Sequence, residues 1–314
     1  MNFRLNHFLT NSTSREAGLV DYSIIGKKIK ELRQVVGITQ GELGEGICTQ
    51  ALISRIEKGD IYPNATSLYQ ISKKLGVDVN YFFEIGTTPR LDYIKEVERQ
   101  LRHLRKKHRY KEMIELVRAE ENNPLFKERE NLQLLYWHKG IYIFEIENNQ
   151  DEAVQLLNEA FSLTGDSKKA LSEREMEILL TIGGFYVGTE DYVKALQYYD
   201  QVRDAIHTTG QLSDKSIKTR LLYNKARVLT RLGKYRESIE HCREAIKWCI
   251  EEEHLYGLAQ LHYHLSYNFE LKENYEQAFS YIEKSIMMFE MLGNDEHKTF
   301  LTDKKEQLYL KTLS

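Results

Sequence analysis

The chain has 314 residues, three of them cysteines, and a formal net charge of -3. This length fits about two domains and excludes a single small domain, while so few cysteines exclude a disulfide framework and indicate a reduced, cytoplasmic compartment. A mean hydropathy of -0.53 and the lack of any run of about 18 apolar residues argue against a membrane span, so we expect no membrane partner.

Residues 1–23 come first and carry no clear structural signal. Phe3, Leu5 and Phe8 are separated by polar or charged residues, which interrupts the continuous apolar stretch that a signal peptide needs. We therefore expect this segment to be a mobile N-terminal tail.

Residues 24–84 are predicted to form several short helices. Thr39 and Glu42 have the spacing of a capping box, which places the start of one helix directly after Thr39. Thr49 can cap the next helix, whose inward face would carry Ile53 and Ile56. Two short helices joined by a tight turn form a helix-turn-helix.

This segment resembles the phage-repressor-like, or XRE-type, helix-turn-helix over its full length. The likeness rests on many residue types at fixed spacing, namely Ile38-Thr39-Gln40, Leu43, Ile53 to Gly59, Pro63, Leu68, Ile71 and Leu75-Gly76-Val77. The turn between the two helices is one residue shorter than the general pattern, and in this it resembles the PlcR-type quorum-sensing regulators. The resemblance implies a domain that binds double-stranded DNA.

A recognition helix of this kind enters the DNA major groove with its first residues against base edges. The base contacts are then expected from Thr49, Gln50, Ala51 and Arg55, and the phosphate contacts from Gln40 and Lys58. Gln50 suits adenine and Arg55 suits guanine, because these side chains can pair bidentately with those bases. An alternative is that Arg55 and Lys58 are merely solvated. Arg33 and Glu57 are instead expected to form a structural ion pair.

A linker helix is predicted for residues 85–104, after a short break that contains glycine, threonine and proline. From Arg99 to Lys111 the chain holds seven Lys or Arg residues and no acidic residue. This basic run is either a solvated helix face or a contact surface, through Lys106, Lys107 and Arg109, for DNA phosphate or a peptide carboxylate.

Residues 105–314 contain a repeat that is typical of stacked helical hairpins. Helix starts recur at intervals of 40, 42, 43 and 40 residues, at Tyr110, Gln150, Tyr192, Tyr235 and Tyr275. The pattern resembles the tetratricopeptide repeat, although the usual period of that repeat is about 34 residues. We expect an all-α protein, in which a small helix-turn-helix bundle is followed by a tetratricopeptide-type superhelix of about five helical pairs and a capping helix.

A superhelix of this kind has a concave groove lined by the first helix of each pair. These helices are rich in side chains that can bind an extended peptide, namely Tyr136, His138, Tyr142, Tyr186, Tyr223, Asn224, Gln260, Tyr263, His264, Tyr267 and Asn268. An alternative is that half or more of them serve repeat packing.

The net charge is divided unevenly along the chain. Residues 24–118 carry a net charge of +6, and residues 119–314 carry a net charge of -9. A basic first third fits an anion-binding module that is joined to a body for a different kind of partner.

The combination of an XRE-type head, a basic linker helix and repeats resembles the PlcR-like peptide-sensing regulators of Gram-positive bacteria. This resemblance implies a cytoplasmic, homodimeric transcription factor that binds a palindromic operator and a short signalling peptide. By position it implies peptide contacts from Lys106, Asn224 and Gln260, to which the groove argument adds Tyr263 and Tyr267. Around Gly183-Gly184 the chain departs from the family, because an asparagine is expected there.

Two alternative hypotheses about the function stay open. One is a scaffold of repeats that binds a protein partner, and the other is a repressor that needs no ligand. The sequence holds no G-x-S-x-G, H-E-x-x-H, Walker or dinucleotide-binding motif, so we expect neither catalysis nor a cofactor. His262 and His264 lie two residues apart on a predicted helix and point to different faces, which argues against a metal site.

Overall fold

The computed structural model describes residues 22–86, 89–164 and 170–312 of the chain. Every regular element in these residues is a helix, which confirms the prediction of an all-α fold. The tail predicted for residues 1–23 lies outside the described residues except for its last two positions. None of the described helices combines the length and the apolarity that crossing a bilayer requires.

Five described helices precede the linker, namely α1 (Tyr22–Val36), α2 (Gln40–Gly44), α3 (Gln50–Lys58), α4 (Ala65–Lys74) and α5 (Val79–Gly86). Helices α2 and α3 begin where the sequence predicts. The Thr39 hydroxyl accepts a hydrogen bond from the amide of Glu42, and the Glu42 carboxylate accepts one from the amide of Thr39, which confirms the capping box. Thr49 caps α3 in the predicted way, because its hydroxyl accepts a hydrogen bond from the amide of Leu52.

The core of these helices is apolar and closely packed. Its members are at most 5% exposed, namely Ile25, Ile29, Leu43, Ile53, Ile56, Leu68, Ile71, Leu75 and Phe82. Gly26 permits α1 to approach α3, because a Cβ there would lie 2.0 Å from the backbone oxygen of Ile56. Gly46 has a φ of 72° in the turn between α2 and α3, a conformation that glycine adopts without strain. These two glycines therefore set the position of α3 against the core.

The chain divides into two compact units after Arg99, at a point inside α6 (Pro89–Lys106). The second unit continues with α7 (Tyr110–Glu120), α8 (Arg129–Tyr142), α9 (Gln150–Ser162), α10 (Glu173–Gly188), α11 (Tyr192–Thr209), α12 (Ser216–Arg231), α13 (Tyr235–Glu251), α14 (Leu258–Leu271), α15 (Tyr275–Met291) and α16 (Asp295–Thr312). A π-helical turn, Ile143–Glu147, continues α8.

Antiparallel neighbours in the second unit form helical hairpins. Helix α8 packs against α9, α10 against α11, α12 against α13, and α14 against α15, on which α16 also packs. The predicted helix starts are the first residues of α7, α9, α11, α13 and α15. The small residues that follow the last four starts are 0% exposed, namely Ala153, Ala195, Ser238 and Ala278. Small side chains at these positions allow the two helices of each hairpin to approach closely, which confirms the repeat pattern.

A hydrogen-bonded polar cluster lies buried between α12, α13 and α14. The Thr230 hydroxyl lies 2.9 Å from each of three groups, the Ser238 hydroxyl, His264 Nε2 and Asn268 Oδ1. Burial lowers the pKa of His264 to about 4, so its imidazole is neutral at pH 7. His138 is also buried, and burial lowers its pKa to about 3. His138, His264 and Asn268 therefore belong to the repeat packing and not to a groove surface, the alternative left open above.

Candidate nucleic-acid interface and ligand cavity

The first candidate site is the outer face of α3 together with the start of α2. The predicted contact residues of α3 and its cap are exposed, namely Thr49, Gln50, Ala51, Arg55 and Lys58. The opposite face of the helix, with Ile53 and Ile56, lies in the core. Gln40 begins α2 and is half-buried. Within the described residues neither Arg55 nor Lys58 forms an ion pair, so both positive charges are available to an anionic partner.

A chain of hydrogen bonds leads from the interior of the first unit to the tip of α3. Arg33 binds Glu57 through two bonds, with Nε 2.5 Å from Oε1 and Nη2 3.0 Å from Oε2. Gln40 Nε2 donates to Glu57 Oε2 at 2.9 Å, and Gln50 Nε2 donates to Gln40 Oε1 at 3.1 Å. The prediction that Arg33 and Glu57 form a structural ion pair is therefore confirmed.

The electrostatic state of Glu57 follows from these partners. Burial by itself would raise the pKa of its carboxyl, but the hydrogen bonds from Arg33 and Gln40 outweigh this effect and hold the pKa below its usual value. Glu57 is therefore ionised at neutral pH. Its charge fixes the amide of Gln40, and Gln40 in turn fixes the amide of Gln50.

The hydrogen bonds from Arg33 to Gln50 leave free the donor and acceptor groups that base recognition needs. Gln50 uses one of its two amide N–H groups on Gln40, which leaves one donor and one acceptor oxygen. This pair complements the edge that adenine presents in the major groove. Gln40 likewise keeps one N–H after binding Glu57, and that group suits a phosphate oxygen.

The second candidate site is a cavity of about 320 Å³ in the second unit. Its lining comes from α6 (Arg102, Arg105, Lys106), from α8 and the π-helical turn (Ile141, Phe144, Glu145), from α10 (Glu177, Leu180, Thr181, Gly184, Phe185), from α12 (Ser216, Arg220, Asn224), and from Tyr110, Asp214 and Tyr256. On α10 and α12 these residues recur mostly at spacings of three and four, which places them on one face of each helix.

Ion pairs organise the polar lining of the cavity. Glu177 Oε1 lies 2.7 Å from Arg220 Nη2 and 3.6 Å from Arg105 Nη2. Asp214 Oδ2 lies 3.5 Å from Arg102 Nη1 and 3.9 Å from Arg220 Nη2. The lining holds four basic and three acidic side chains in all. The excess of one positive charge suits an anionic group on a ligand.

Two arginines of the lining are largely withdrawn from solvent. The Arg105 guanidinium lies over the Trp137 ring, with Cζ 4.3 Å from the ring centre. Burial lowers the pKa of Arg105, although the charge of Glu177 acts in the opposite direction. Arg220 Nε is buried and has no hydrogen-bond partner among the described residues. A ligand oxygen that reached this N–H would satisfy a buried donor.

The same cavity also has an aromatic and aliphatic wall. The rings of Phe144 and Phe185 stack with centroids 4.0 Å apart and planes 8° apart. Ile141 and Leu180 extend this wall. The cavity therefore combines charged groups with apolar surface, as ligand sites for peptides and small molecules commonly do.

The structure places the predicted peptide-contact residues in two locations. Lys106 and Asn224 both line the cavity. Gln260, Tyr263 and Tyr267 lie on α14, outside its lining. For these three residues a role in ligand binding stays a prediction.

Six of the seven charged residues that line the cavity, all except Lys106, were not singled out by the sequence analysis. Arg102 and Arg105 lie within the predicted basic run, and Arg220 precedes Asn224 by about one helical turn. That spacing places Arg220 on the same helix face as Asn224, so the pattern contained this signal. Glu177 had no comparable signal, because its partners come from other helices.

Two family descriptions match the chain. The RNPP family C-terminal domain matches residues 98–311. A helix-turn-helix family matches residues 29–82. No curated protein sequence matches the chain.

Several solved structures share the fold over nearly the whole chain. Bacillus thuringiensis PlcR in complex with the peptide PapR7 and DNA has a TM-score of 0.74 and 23% identity, over 89% of this chain and 99% of that one. ComR from S. thermophilus in complex with DNA and its signalling peptide ComS has a TM-score of 0.61 and 18% identity, over 90% and 99%. The Streptococcus dysgalactiae SHP pheromone receptor Rgg2 has a TM-score of 0.62 and 16% identity, over 90% and 99%. At these identities the likeness establishes the fold, and it confirms the architecture predicted from the sequence.

Proposed function

The chain belongs to the RNPP family, and on this premise we propose that it is a sequence-specific DNA-binding transcriptional regulator whose repeat domain binds a short signalling peptide. The peptide controls the arrangement of two DNA-binding heads in a homodimer. The operator is a palindrome in double-stranded DNA, with half-sites about one helical turn, or a multiple of it, apart.

The DNA-binding half of the proposal is supported by the outer face of α3. Its exposed side chains include the amide of Gln50 and two cations, Arg55 and Lys58, that form no ion pair within the described residues. Gln50 and Arg55 suit base readout, and Lys58 suits phosphate attraction. Gln50 is held in place by Gln40 and Glu57 before DNA arrives. A side chain that is ordered in advance loses less conformational entropy on binding.

The peptide-binding half is supported by the cavity between α6, α8, α10 and α12. A short peptide brings a carboxylate, backbone amides and apolar side chains, and the cavity presents arginines, Asn224 and the Phe144–Phe185 wall. PlcR and ComR, which share the fold, have been solved with a peptide and DNA together. A cavity in the repeat domain that is open to solvent on one side and lined by largely buried charged groups is the observation that carries this proposal.

Binding of peptide and DNA must be coupled for the peptide to act as a signal. A peptide shifts the equilibrium of the dimer only to the extent that it binds one arrangement of the heads more tightly than another. We place this equilibrium in the cytoplasm, where the operator and the re-imported peptide meet. Cys242 and Cys249 are free and buried, which fits a reducing compartment.

The experiment that tests the proposal is selection of DNA from a random pool by the purified full-length chain, with and without a library of short synthetic peptides. Gln50→Ala combined with Arg55→Ala should lose sequence discrimination by about 30-fold or more, because each bidentate contact contributes about 1–3 kcal/mol. The same variant should keep its peptide affinity. Gln70→Ala combined with Lys27→Ala, which removes an exposed amide and an exposed cation elsewhere in the first unit, is the matched control.

The remaining outcomes separate the alternatives. A chain that selects no DNA sequence under any condition is a scaffold of repeats, and the proposal fails. A chain that selects a sequence equally well with and without every peptide is a ligand-independent repressor, and only the peptide half of the proposal fails.

A further inference from the structure

Two consecutive glycines of α10 have opposite surroundings. A Cβ on Gly183 would lie 2.4 Å from Cε1 of Tyr199 on α11, so glycine is required there for close helix packing. A Cβ on Gly184 would meet no heavy atom within 4 Å. Gly184 lines the cavity described above. Packing therefore explains the first glycine and not the second.

Backbone conformation does not explain Gly184 either. The residue lies inside the regular helix Glu173–Gly188 and is not among the residues with a positive φ. Glycine in a helix interior is less stable than alanine, because it exposes backbone and loses more conformational freedom on folding. Glycine at position 184 therefore lowers the local stability of the helix and leaves open space in the cavity.

Gly184 is exposed on the cavity face of α10, and several lining residues near it along α10 are apolar. Leu180 precedes it by one helical turn on the same face, and Phe185 follows it directly. Phe144 packs along α10 one turn further on, because a Cβ on Gly188 would lie 3.0 Å from Phe144 Cζ. Its ring stacks on Phe185 and continues the wall. The lining next to Gly184 along α10 therefore offers aromatic and aliphatic carbon, together with the hydroxyl of Thr181.

We propose that Gly184 opens an apolar subsite in the cavity, and that this subsite takes one bulky apolar side chain, aromatic or branched aliphatic, of the signalling peptide. The proposal rests on the proposed function and deepens it, since it names a feature that the peptide must have. Gly184 is then a specificity-determining residue, because a side chain at this position would occupy the volume that the peptide residue needs.

The test enlarges the side chain at position 184 of the protein and shortens the matching side chain of the peptide. Short synthetic peptides are selected from a library by the full-length wild-type chain, and the affinity of the best peptide is measured by titration calorimetry. Replacing its bulky apolar residue with alanine should weaken binding about 10- to 100-fold, as expected when burial of one apolar side chain is lost. Gly184→Leu should weaken binding of the parent peptide to a similar extent. The alanine-substituted peptide should bind Gly184→Leu no worse than it binds the wild type.

Stability measurements separate this effect from a folding defect. Gly184→Ala should raise the melting temperature by about 2–4 °C, because alanine favours the helix and meets no clash. Gly183→Ala should lower it, because its Cβ would collide with Tyr199. Gln201→Leu, which adds an exposed leucine on α11, controls for a new apolar group outside the cavity and should leave peptide affinity unchanged.

Two results would overturn the proposal, and they can be told apart. If Gly184→Leu binds the parent peptide as tightly as the wild type does, the subsite does not exist although the protein binds peptide. If the wild-type chain selects no peptide at all, the proposed function itself fails, and the subsite with it.

Discussion

The two candidate sites are built in different ways. The candidate DNA-binding face is made by residues close together in the sequence, and several of its polar side chains belong to one chain of hydrogen bonds from Arg33 to Gln50. The cavity is assembled from helices far apart in the sequence, and it holds buried charges that balance one another across those helices. We therefore expect substitutions at the first site mainly to reduce DNA recognition, whereas substitutions at the second site should first reduce the stability of the fold.

The largest expected effect is therefore on stability, at Glu177. Its side chain is 6% exposed and is the counterion of both Arg105 and Arg220. Glu177→Ala removes this shared counterion and leaves Arg220 only the longer pair with Asp214, at 3.9 Å. Removing one member of a buried ion pair costs about 3–5 kcal/mol. Chemical denaturation of the full-length chain should show this loss in the second unit. Glu159→Ala, at an exposed position of α9, is the control, and equal stability of the two variants would contradict this account of the cavity.

An intermediate effect is expected at Glu57, because its carboxylate contributes to stability and also holds the side chains expected to contact DNA. The side chains of Arg33 and Glu57 are 13% and 2% exposed. Glu57→Ala should lower the free energy of unfolding of the first unit by about 1.5–3 kcal/mol, the range for hydrogen bonds to a charged group. DNA affinity should fall as well, because Gln40 and Gln50 are no longer held. Gln40→Ala should reduce DNA affinity while leaving most of the stability intact, since it keeps the ion pair.

The exposed pair of Lys28 and Glu31 provides the comparison for this prediction. Glu31→Ala breaks an i,i+3 surface pair whose carboxylate is 61% exposed, and such pairs contribute about 0–1 kcal/mol. If Glu57→Ala and Glu31→Ala have the same stability and the same affinity for the selected operator, the hydrogen-bonded chain has no functional role.

The smallest effect concerns pH and the buried polar cluster. Burial lowers the pKa of His264 in the folded protein to about 4, below the usual histidine value of about 6.5. The unfolded chain therefore binds more protons between these two values, and stability falls as the pH is lowered from about 6.5 towards 4. At pH 5 the loss from this histidine should be about 1–2 kcal/mol relative to pH 8. Denaturation curves at several pH values should show a smaller pH dependence for His264→Gln, whereas His207→Gln, at an exposed position, should keep the wild-type dependence.

The same contrast explains how much the sequence could predict. The capping box of Thr39 and Glu42 and the start of α3 after Thr49 depend on neighbouring residues, so their spacing was sufficient. The starts of the repeat helices were also predictable, because a fixed period repeats them.

The cavity was only partly predictable, for a physical reason. Lys106 and Asn224 came from resemblance to a family, and both line the cavity. The pairing of Glu177 with Arg105 and Arg220 depends on how three helices pack, which no local pattern specifies. For the same reason the sequence pattern predicted a groove position for Asn268, whereas the packing of the helical hairpins buries this side chain.

The central claim is that peptide binding in the repeat domain controls DNA binding by the heads. The most direct test measures peptide affinity with and without the selected operator, and operator affinity with and without the peptide. The account predicts that each ligand changes the affinity of the other by the same factor, about 5-fold or more, because a coupling free energy is reciprocal. If both ligands bind and neither affinity changes in the presence of the other, the two units act independently and the claim is contradicted.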